Sequence, residues 1–269
     1  MTNDVTHIAR DVLGRMTEGA HLLLLSDYDG TLAPITPDPA AARLPEATRD
    51  VLRHLAYSPR VHFGVVSGRD VDDLRELIAM SGAIYAGCYG LDIQGPGMRF
   101  VHPEAQAQRA TLTAISRELS RQAPAVPGMR VESKQFGVAV HYRQVAPDQV
   151  HRVEMEAARV VDRNGRRLKL FRGLQVIEIQ PRAGWTKGDC VLWIREQLRA
   201  RSGNGLAVVY IGDDWSDEDA FEALVDDGVT IGVGNLVPVS RAAYRVADVD
   251  AVRQFLAALA DGAPHEARA

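Results

Sequence analysis

The chain has 269 residues, of which 46% are hydrophobic and 25% charged, and its formal net charge is -4 at pH 7. That length can bury a substantial core in one or two domains, and the slightly acidic balance does not favour nucleic acid or an anionic membrane as a partner. Because no apolar run approaches the ~20 residues of a membrane span, and two scattered cysteines make no disulfide framework, we expect a protein of the reducing cytoplasm without a membrane anchor.

The first predicted elements are an amphipathic helix and a buried strand. Residues 4–18 place apolar side chains on one face at helical spacing. Residues 22–26 begin with four leucines, and such a short continuous apolar run is typical of a parallel strand that is buried on both faces. The run leads directly into Asp27 and Asp29, and Gly30 lets the chain turn away. Since ligands of open α/β sheets bind beyond the carboxyl ends of such strands, we expect both carboxylates at a functional site.

Two carboxylates this close repel each other unless a cation or a proton lies between them. A hard divalent ion such as Mg2+ is the natural neutraliser, because it takes oxygen ligands. With the ion present, one Asp can attack phosphorus as a nucleophile, and the other can pass a proton to the leaving oxygen and take one from water. A strand end with two solvated acids is the alternative that the Asp-x-Asp pattern alone leaves open.

A second strand tip carries a candidate phosphate-binding loop. A helix over residues 45–56 and a buried strand over residues 61–66 lead to Ser67-Gly68-Arg69-Asp70. A hydroxyl and backbone N–H groups just before a helix N-terminus can cradle phosphate oxygens. The alternative is that Ser67 or Asp70 only caps the helix predicted over residues 71–80. A third short strand is predicted over residues 83–87.

The sequence pattern changes character after residue 92. Helical periodicity now alternates with the period-two pattern of half-buried antiparallel strands. The predicted elements are helices over residues 104–122 and 147–162, one strand over residues 131–143, and a hairpin over residues 168–180 that turns at Arg172-Gly173. Because this block differs from the buried strands around it, we expect residues 93–183 to form an α+β lid inserted into an α/β core of residues 1–92 and 184–269.

The core pattern resumes at Lys187, which opens a helix predicted to run to residue 201. An ammonium group there could neutralise a nucleophile and phosphoryl oxygens, although a lone lysine is more often solvated. A fourth buried strand over residues 206–211 ends in Gly212-Asp213-Asp214-Trp215-Ser216-Asp217-Glu218-Asp219. Because the carboxylates of this string repel one another, we expect a bound Mg2+ and N-capping of a helix over residues 217–224 to account for them. A fifth strand and a final helix are predicted over residues 230–233 and 251–259.

Four separated strings resemble the four motifs of the haloacid dehalogenase superfamily of phosphohydrolases. They are Asp27-x-Asp29, Ser67-Gly68-Arg69, Lys187-Gly188 and Gly212-Asp213-Asp214. Within that superfamily the chain is most similar to the trehalose-6-phosphate phosphatases, in the first and fourth motifs and in inserted segments such as Val131-Glu132-Ser133-Lys134 and Val176-Ile177-Glu178-Ile179. The resemblance covers most of residues 20–235. It implies a Rossmann-like parallel-sheet core with an inserted α+β cap domain.

The resemblance implies how the core would act on a phosphate ester. Asp27 would attack phosphorus and form an aspartyl-phosphate, and Asp29 would be the general acid and then the base for water. Ser67 and Lys187 would hold the phosphate. Two neighbours of Ser67 are implied to contact the substrate, namely Gly68 and Arg69.

The resemblance also implies a magnesium site and a sugar-binding surface. The implied Mg2+ ligands are Asp27, the backbone carbonyl of Asp29 and Asp213, with Asp214 or Asp217 in a supporting or direct position. In the lid, Glu132, Lys134 and Glu178 would bond to sugar hydroxyls, since charged groups form strong hydrogen bonds with a polyol. Ordinary solvated strand positions are the alternative for these three residues.

The expected activity is Mg2+-dependent hydrolysis of trehalose 6-phosphate to trehalose and phosphate. Two positions depart from the family pattern: Tyr89 stands where the family usually has His before Gly90, and Ser216 replaces the usual Thr. The alternatives are a phosphatase for another glycosyl phosphate (a sucrose, glycosyl-glycerate or pseudo-disaccharide phosphate), a phosphotransferase that moves phosphate within a sugar, and a catalytically inactive sensor. A small sugar phosphate is the expected partner of a monomer or small homo-oligomer.

Overall fold

The computed structural model describes residues 3–16, 20–36, 41–173, 175–201 and 205–262. The chain forms two compact units. The core unit consists of Met1–Arg99 with Trp185–Ala269, and the cap unit of Phe100–Gly184. None of the helices in the described part of the chain is long and apolar enough to cross a membrane.

Eight α-helices and twelve strands are assigned in the described residues. The helices are α1 (Val5–Arg15), α2 (Glu46–Ala56), α3 (Val71–Ile78), α4 (Pro103–Gln122), α5 (Val150–Arg163), α6 (Lys187–Arg199), α7 (Glu218–Ala223) and α8 (Val249–Gly262). The strands are β1 (His21–Ser26), β2 (Val61–Val66), β3 (Ile84–Gly87), β4 (Asp92–Gly95), β5 (Met98–Val101), β6 (Arg130–Lys134), β7 (Gly137–His141), β8 (Leu168–Gly173), β9 (Val176–Pro181), β10 (Leu206–Gly212), β11 (Gly228–Val233) and β12 (Tyr244–Val246).

The predicted α/β class is confirmed by an eight-stranded, mainly parallel sheet. Its strand order is β12-β11-β10-β1-β2-β3-β4-β5. Strand β1 lies between β10 and β2, and Leu24 is paired with Val209 on one side and Phe63 on the other. All three strands run parallel, so their carboxyl ends meet at one edge of the sheet. The residues that follow β1, β2 and β10 are therefore neighbours.

The leucines of β1 explain why it is the central strand. Leu22 and Leu24 pack with Ile8 of α1 and Phe255 of α8 in one apolar cluster. Leu23 and Leu25 alternate with them and so point to the other face of the sheet, and all four leucines are fully buried. A strand covered on both faces needs such a continuous apolar run.

The cap unit contains a separate antiparallel sheet with the strand order β6-β7-β9-β8. One face packs against α4 and α5 through a cluster that includes Ile115, Val138 and Val153. On the opposite face, Glu132 is paired with Ala139, which is in turn paired with Glu178. Strand alternation places Lys134 on that same face. The three predicted sugar-binding residues therefore share the face that α4 and α5 leave uncovered.

The prediction of one strand over residues 131–143 was wrong, because β6 and β7 are two strands joined by a turn at Gln135-Phe136. Phe136 lies in this turn and is apolar and fully buried, so the alternation of apolar residues continues through the turn and gives no local sign of it.

The predicted turn at Arg172-Gly173 was also misplaced. Strand β8 continues through Gly173, which is paired with Val176, and the intervening Leu174 lies outside the described residues. Strand β12 was not predicted, and the end of the first predicted helix, residues 17–18, lies outside the described residues as well.

Candidate active site

The candidate site lies at the carboxyl ends of β1 and β10, where the loop that carries Asp27 meets the loop that carries Asp213. Asp27 follows β1 directly, and its backbone N–H donates to the carbonyl of Ile211 in β10 at 2.8 Å. Gly30 has φ 80°, and a Cβ at this position would overlap the carboxylate of Asp213. Glycine is therefore required for the close approach of the two loops. Thr31, which was not a predicted site residue, donates its hydroxyl to Asp213 Oδ1 at 3.3 Å.

Three carboxylates come together at this point. Asp27, Asp213 and Asp217 each offer an oxygen, and the three oxygens lie within 4.8 Å of one another. Burial raises the pKa of Asp27 well above its usual value. Burial, followed by the Asp217 and Asp214 carboxylates, raises the pKa of Asp213 to about 7. Such a set of desolvated oxygen donors fits a hard divalent cation, which would relieve their mutual repulsion.

Lys187 supplies a positive charge to the three acids. Its Nζ donates to Asp217 Oδ1 at 2.7 Å and lies 3.2 Å from Asp27 Oδ1. Burial alone would lower the pKa of Lys187, but the Asp217 and Asp27 carboxylates raise it above its ordinary value. The ammonium therefore stays charged beside Asp27. One lysine balances only part of the charge of three carboxylates, which leaves room for a cation.

Asp217 is held by four donors. Its Oδ1 accepts from Lys187 Nζ and from the hydroxyl of Tyr210, each at 2.7 Å. Its Oδ2 accepts from the backbone N–H groups of Asp213 at 3.0 Å and Asp214 at 3.1 Å. Because an ionised carboxylate offers about four acceptor positions, these bonds fill them. The Asp217 side chain makes no capping bond to α7, so that part of the prediction was wrong.

The other acids of the same string have separate tasks. Asp214 Oδ1 accepts from the backbone N–H of Ser216 at 2.8 Å and from its hydroxyl at 2.6 Å. Glu218 accepts from Ser240 and from the backbone of Arg241, in the loop that follows β11. These two acids therefore fix turns and loops around the site. The side chains of Asp214 and Asp29 are not part of the three-acid group among the described residues.

Asp29 and Arg69 join the first and second motifs. Arg69 Nε donates to Asp29 Oδ2 at 2.6 Å, and Arg69 Nη2 donates to Asp29 Oδ1 at 2.7 Å. Ser67 is buried, and its hydroxyl oxygen accepts from the backbone N–H of Arg69 at 3.3 Å. The two-point contact fixes the Asp29 carboxylate next to the candidate phosphate loop. The family resemblance implied that Arg69 contacts the substrate, and nothing in the sequence indicated this ion pair.

The face of the cap sheet opposite α4 and α5 carries two ion pairs. Lys134 Nζ lies 2.8 Å from Glu178 Oε1, and His141 Nε2 lies 2.7 Å from Glu132 Oε2. Glu178 is 6% exposed, and its Oε2 has no hydrogen-bond partner among the described residues. A buried carboxylate oxygen without a donor is costly, so this atom is suited to accept from a ligand. No role was predicted for His141.

Comparison with known proteins identifies a consistent set of relatives. A family model for trehalose-phosphatase matches residues 25–247. The trehalose-phosphate phosphatase of Mycobacterium avium (strain 104) is 41% identical over 221 residues, which are 81% of this chain and 55% of that protein. The chain thus spans about half the length of this relative. The trehalose 6-phosphate phosphatase RA3 of Zea mays is 33% identical over 261 residues, which are 91% of this chain and 71% of that protein.

A solved structure gives an independent match of the fold. The crystal structure of a trehalose-6-phosphate phosphatase related protein superposes with a TM-score of 0.76 at 23% identity. The match covers 87% of this chain and 95% of the other. At this identity the likeness concerns the fold alone.

Proposed function

The chain belongs to the trehalose-phosphatase family, and we propose that it is a Mg2+-dependent phosphatase that hydrolyses trehalose 6-phosphate to trehalose and phosphate. The observation that carries the proposal is the buried group of Asp27, Asp213 and Asp217 with Lys187 beside it, at adjoining strand ends. This group combines a nucleophile, a cation site and a fixed positive charge. In this proposal the core unit carries the chemistry and the cap unit carries the specificity.

We assign the Mg2+ ligands to Asp27, Asp213 and the backbone carbonyl of Asp29. The donor set fits this ion, because it consists of oxygen atoms only and because its two carboxylates are buried close together. Asp217 would support the ligands rather than bind the ion, since its acceptor positions are filled. When bound, the ion supplies positive charge next to the phosphoryl oxygens.

The proposed reaction has two steps. Asp27 attacks phosphorus, the bond between phosphorus and the sugar oxygen breaks, and Asp29 gives its proton to that oxygen. Water then attacks the aspartyl-phosphate while Asp29 takes a proton from it, and phosphate is released. Lys187 favours the ionised form of the nucleophile, because its charge opposes the effect of burial on the pKa of Asp27.

The remaining predicted site residues would contact the substrate. Ser67, with the adjoining Gly68 and Arg69, would face the phosphoryl group. Glu132, Lys134 and Glu178 would face sugar hydroxyls, and the free Oε2 of Glu178 supports that assignment. We further propose a cytoplasmic monomer or small homo-oligomer, and the two buried cysteines, which form no disulfide within the described residues, agree with a reducing compartment.

A phosphate-release assay over a panel of glycosyl phosphates tests the function. We expect the fastest turnover with trehalose 6-phosphate, dependence on Mg2+, and a loss on the order of 10⁴-fold or more in Asp27→Asn, because the nucleophile is gone. The matched control is Asp50→Asn, which removes an exposed acid that pairs with Arg53 on the surface.

Three results would contradict parts of the proposal. Faster turnover of a sucrose, glycosyl-glycerate or pseudo-disaccharide phosphate would replace the substrate and keep the chemistry. An isomerised sugar phosphate without free phosphate would identify a phosphotransferase. Phosphate release that survives Asp27→Asn would remove the nucleophile assignment.

A further inference from the structure

Tyr89 lies after β3 in a backbone conformation that side-chain-bearing residues rarely adopt. The φ angles of Cys88 and Tyr89 are 49° and 60°. Two consecutive left-handed residues cost free energy and persist only where the surroundings hold them. Here the backbone N–H of Cys88 donates to the carbonyl of Arg69, and that of Tyr89 donates to the carbonyl of Ser67, each at 2.8 Å. The strained segment is therefore fixed to the candidate phosphate loop.

This backbone delivers the phenol ring to the site. A Cβ placed on Gly68 would lie 2.7 Å from Cζ of Tyr89, 2.8 Å from its hydroxyl oxygen and 3.0 Å from Cε2. The ring centroid is 6.0 Å from Nζ of Lys187. The tip of the ring thus rests on the backbone of Gly68, and the body of the ring faces the lysine. Tyr89 is only half-buried, so part of its surface remains open to a ligand.

We propose that Tyr89 is a specificity-determining residue that contacts the sugar ring next to the phosphoryl group. This inference rests on the proposed function and deepens it. Asp27, Ser67 and Lys187 account for the phosphoryl group, so a residue at their side meets the next atoms of the ester. A tyrosine suits a sugar, because its ring covers the apolar C–H face and its hydroxyl bonds with a sugar hydroxyl.

The test compares binding of the sugar ester with binding of phosphate alone. We expect Tyr89→Ala to raise KM for the sugar phosphate about tenfold, with kcat within about threefold, and to leave the inhibition constant of inorganic phosphate within about twofold. Tyr89→Phe should raise KM about threefold, since it keeps the ring and loses one hydrogen bond. The control is Tyr57→Ala, at a position that is 74% exposed.

A double-mutant cycle tests whether a side chain at Gly68 affects KM by displacing the ring of Tyr89. The three heavy atoms nearest to a Cβ on Gly68 all belong to Tyr89. Gly68→Ala should therefore displace the ring and raise KM more in the native background than in Tyr89→Ala, where only its effect on the phosphoryl side remains. Equal effects in both backgrounds would overturn this part of the inference.

The other outcomes are equally decisive. An unchanged KM in Tyr89→Ala, or a parallel rise of KM and of the phosphate inhibition constant, would overturn the specificity role. If the native protein prefers another sugar phosphate, the proposed substrate fails, and the same comparison on that ester still tests Tyr89. Hydrolysis of no sugar phosphate would overturn both proposals.

Discussion

The carboxylate of Asp217 ties together three segments of the candidate site. Through its four hydrogen bonds it joins the loop that carries Asp213, the first turn of α6 with Lys187, and β10 with Tyr210. Hydrogen bonds to an ionised acceptor are stronger than those between neutral groups. Asp217 therefore determines where the neighbouring charges lie. Loss of one of its donors should move Lys187 and so change the contact of its ammonium group with Asp27.

Substitution of Tyr210 by Phe tests this connection. The change keeps the ring and removes one of the four donors, so we expect unfolding free energy to fall by about 1–2 kcal/mol. We also expect kcat to fall several-fold and KM to stay nearly constant, because a fully buried phenol does not touch substrate. Denaturant unfolding and steady-state kinetics measure the two effects.

The matched control is Tyr85→Phe. Tyr85 is also a buried phenol, and its hydroxyl donates to the carbonyl of Met80 at 2.7 Å. This variant should lose similar stability and keep kcat. If Tyr210→Phe has the same kcat as Tyr85→Phe, the positions of Lys187 and Asp217 do not depend on the hydroxyl of Tyr210.

A second residue-scale prediction concerns the pH dependence of stability. It involves two histidines at the amino ends of β1 and β2. His21 Nδ1 and His62 Nε2 are 3.0 Å apart. Burial, His21 and Arg201 lower the pKa of His62. As pH falls below the unfolded value of about 6.5, the unfolded chain takes up the proton first, so the stability contribution present above that pH is lost.

We therefore expect the native protein to lose more stability than His62→Gln between about pH 7.5 and about pH 5.5. Urea unfolding of both proteins at the two pH values measures the difference, and saturating Mg2+ keeps the acid cluster in one state. Equal losses would show that His62 is not protonated preferentially in the unfolded chain.

At the scale of elements, the sequence predicts best what depends on local pattern. The leucines before Asp27 and the apolar run before Asp213 mark buried strands, and strand ends in a parallel sheet indicate where a site lies. The turn after Lys134 was missed because the buried Phe136 continues the apolar pattern. The three-residue β12 has no pattern of its own and depends on pairing with β11.

The contacts that complete the site have no local pattern at all. The hydroxyl of Thr31 meets Asp213 across 182 positions of the chain, and Arg69 meets Asp29 across 40. Nothing in the residues around Tyr210 specifies Asp217 as its partner, although a buried phenol needs one. Such pairs follow from the order of strands in the sheet, and that order is a property of the folded chain.

The start of α6 supports a prediction about an element. Thr186 precedes the helix and forms a capping box: its Oγ1 accepts from the N–H of Asp189, and its own N–H donates to Asp189 Oδ2 at 2.8 Å. The first residue of the helix is Lys187. We expect Thr186→Ala to lower unfolding free energy by about 1 kcal/mol and kcat several-fold, because the first turn positions the ammonium group.

Thr186→Ser is the control for the cap, because it keeps a hydroxyl at the same position. It should restore most of the stability and most of kcat. A loss of stability in Thr186→Ala with an unchanged kcat would show that Lys187 is positioned by its bonds to Asp217 and Asp27 alone.

At the scale of the whole molecule, the acid cluster links folding to ion binding. Burying carboxylates close together costs free energy that one ammonium group offsets only in part. In the ion-free protein the raised pKa of Asp213, about 7, means that the folded state binds a proton more tightly than the unfolded chain does. The associated stability is present at low pH and is lost as pH rises through about 7. A bound cation would replace the proton above that pH.

We therefore expect Mg2+ to raise the thermal unfolding midpoint, and to raise it more at about pH 8 than at about pH 6, because protons compete with the ion for the carboxylates. At a free concentration of about 100 times Kd, the expected stabilisation is about 2.7 kcal/mol. Thermal scans in MgCl2 and in NaCl of equal ionic strength separate binding from screening.

Asp213→Asn should abolish the shift in the unfolding midpoint, whereas Asp50→Asn should keep it. An equal shift at both pH values would contradict competition between protons and the ion, and an unchanged shift in Asp213→Asn would place the ion elsewhere.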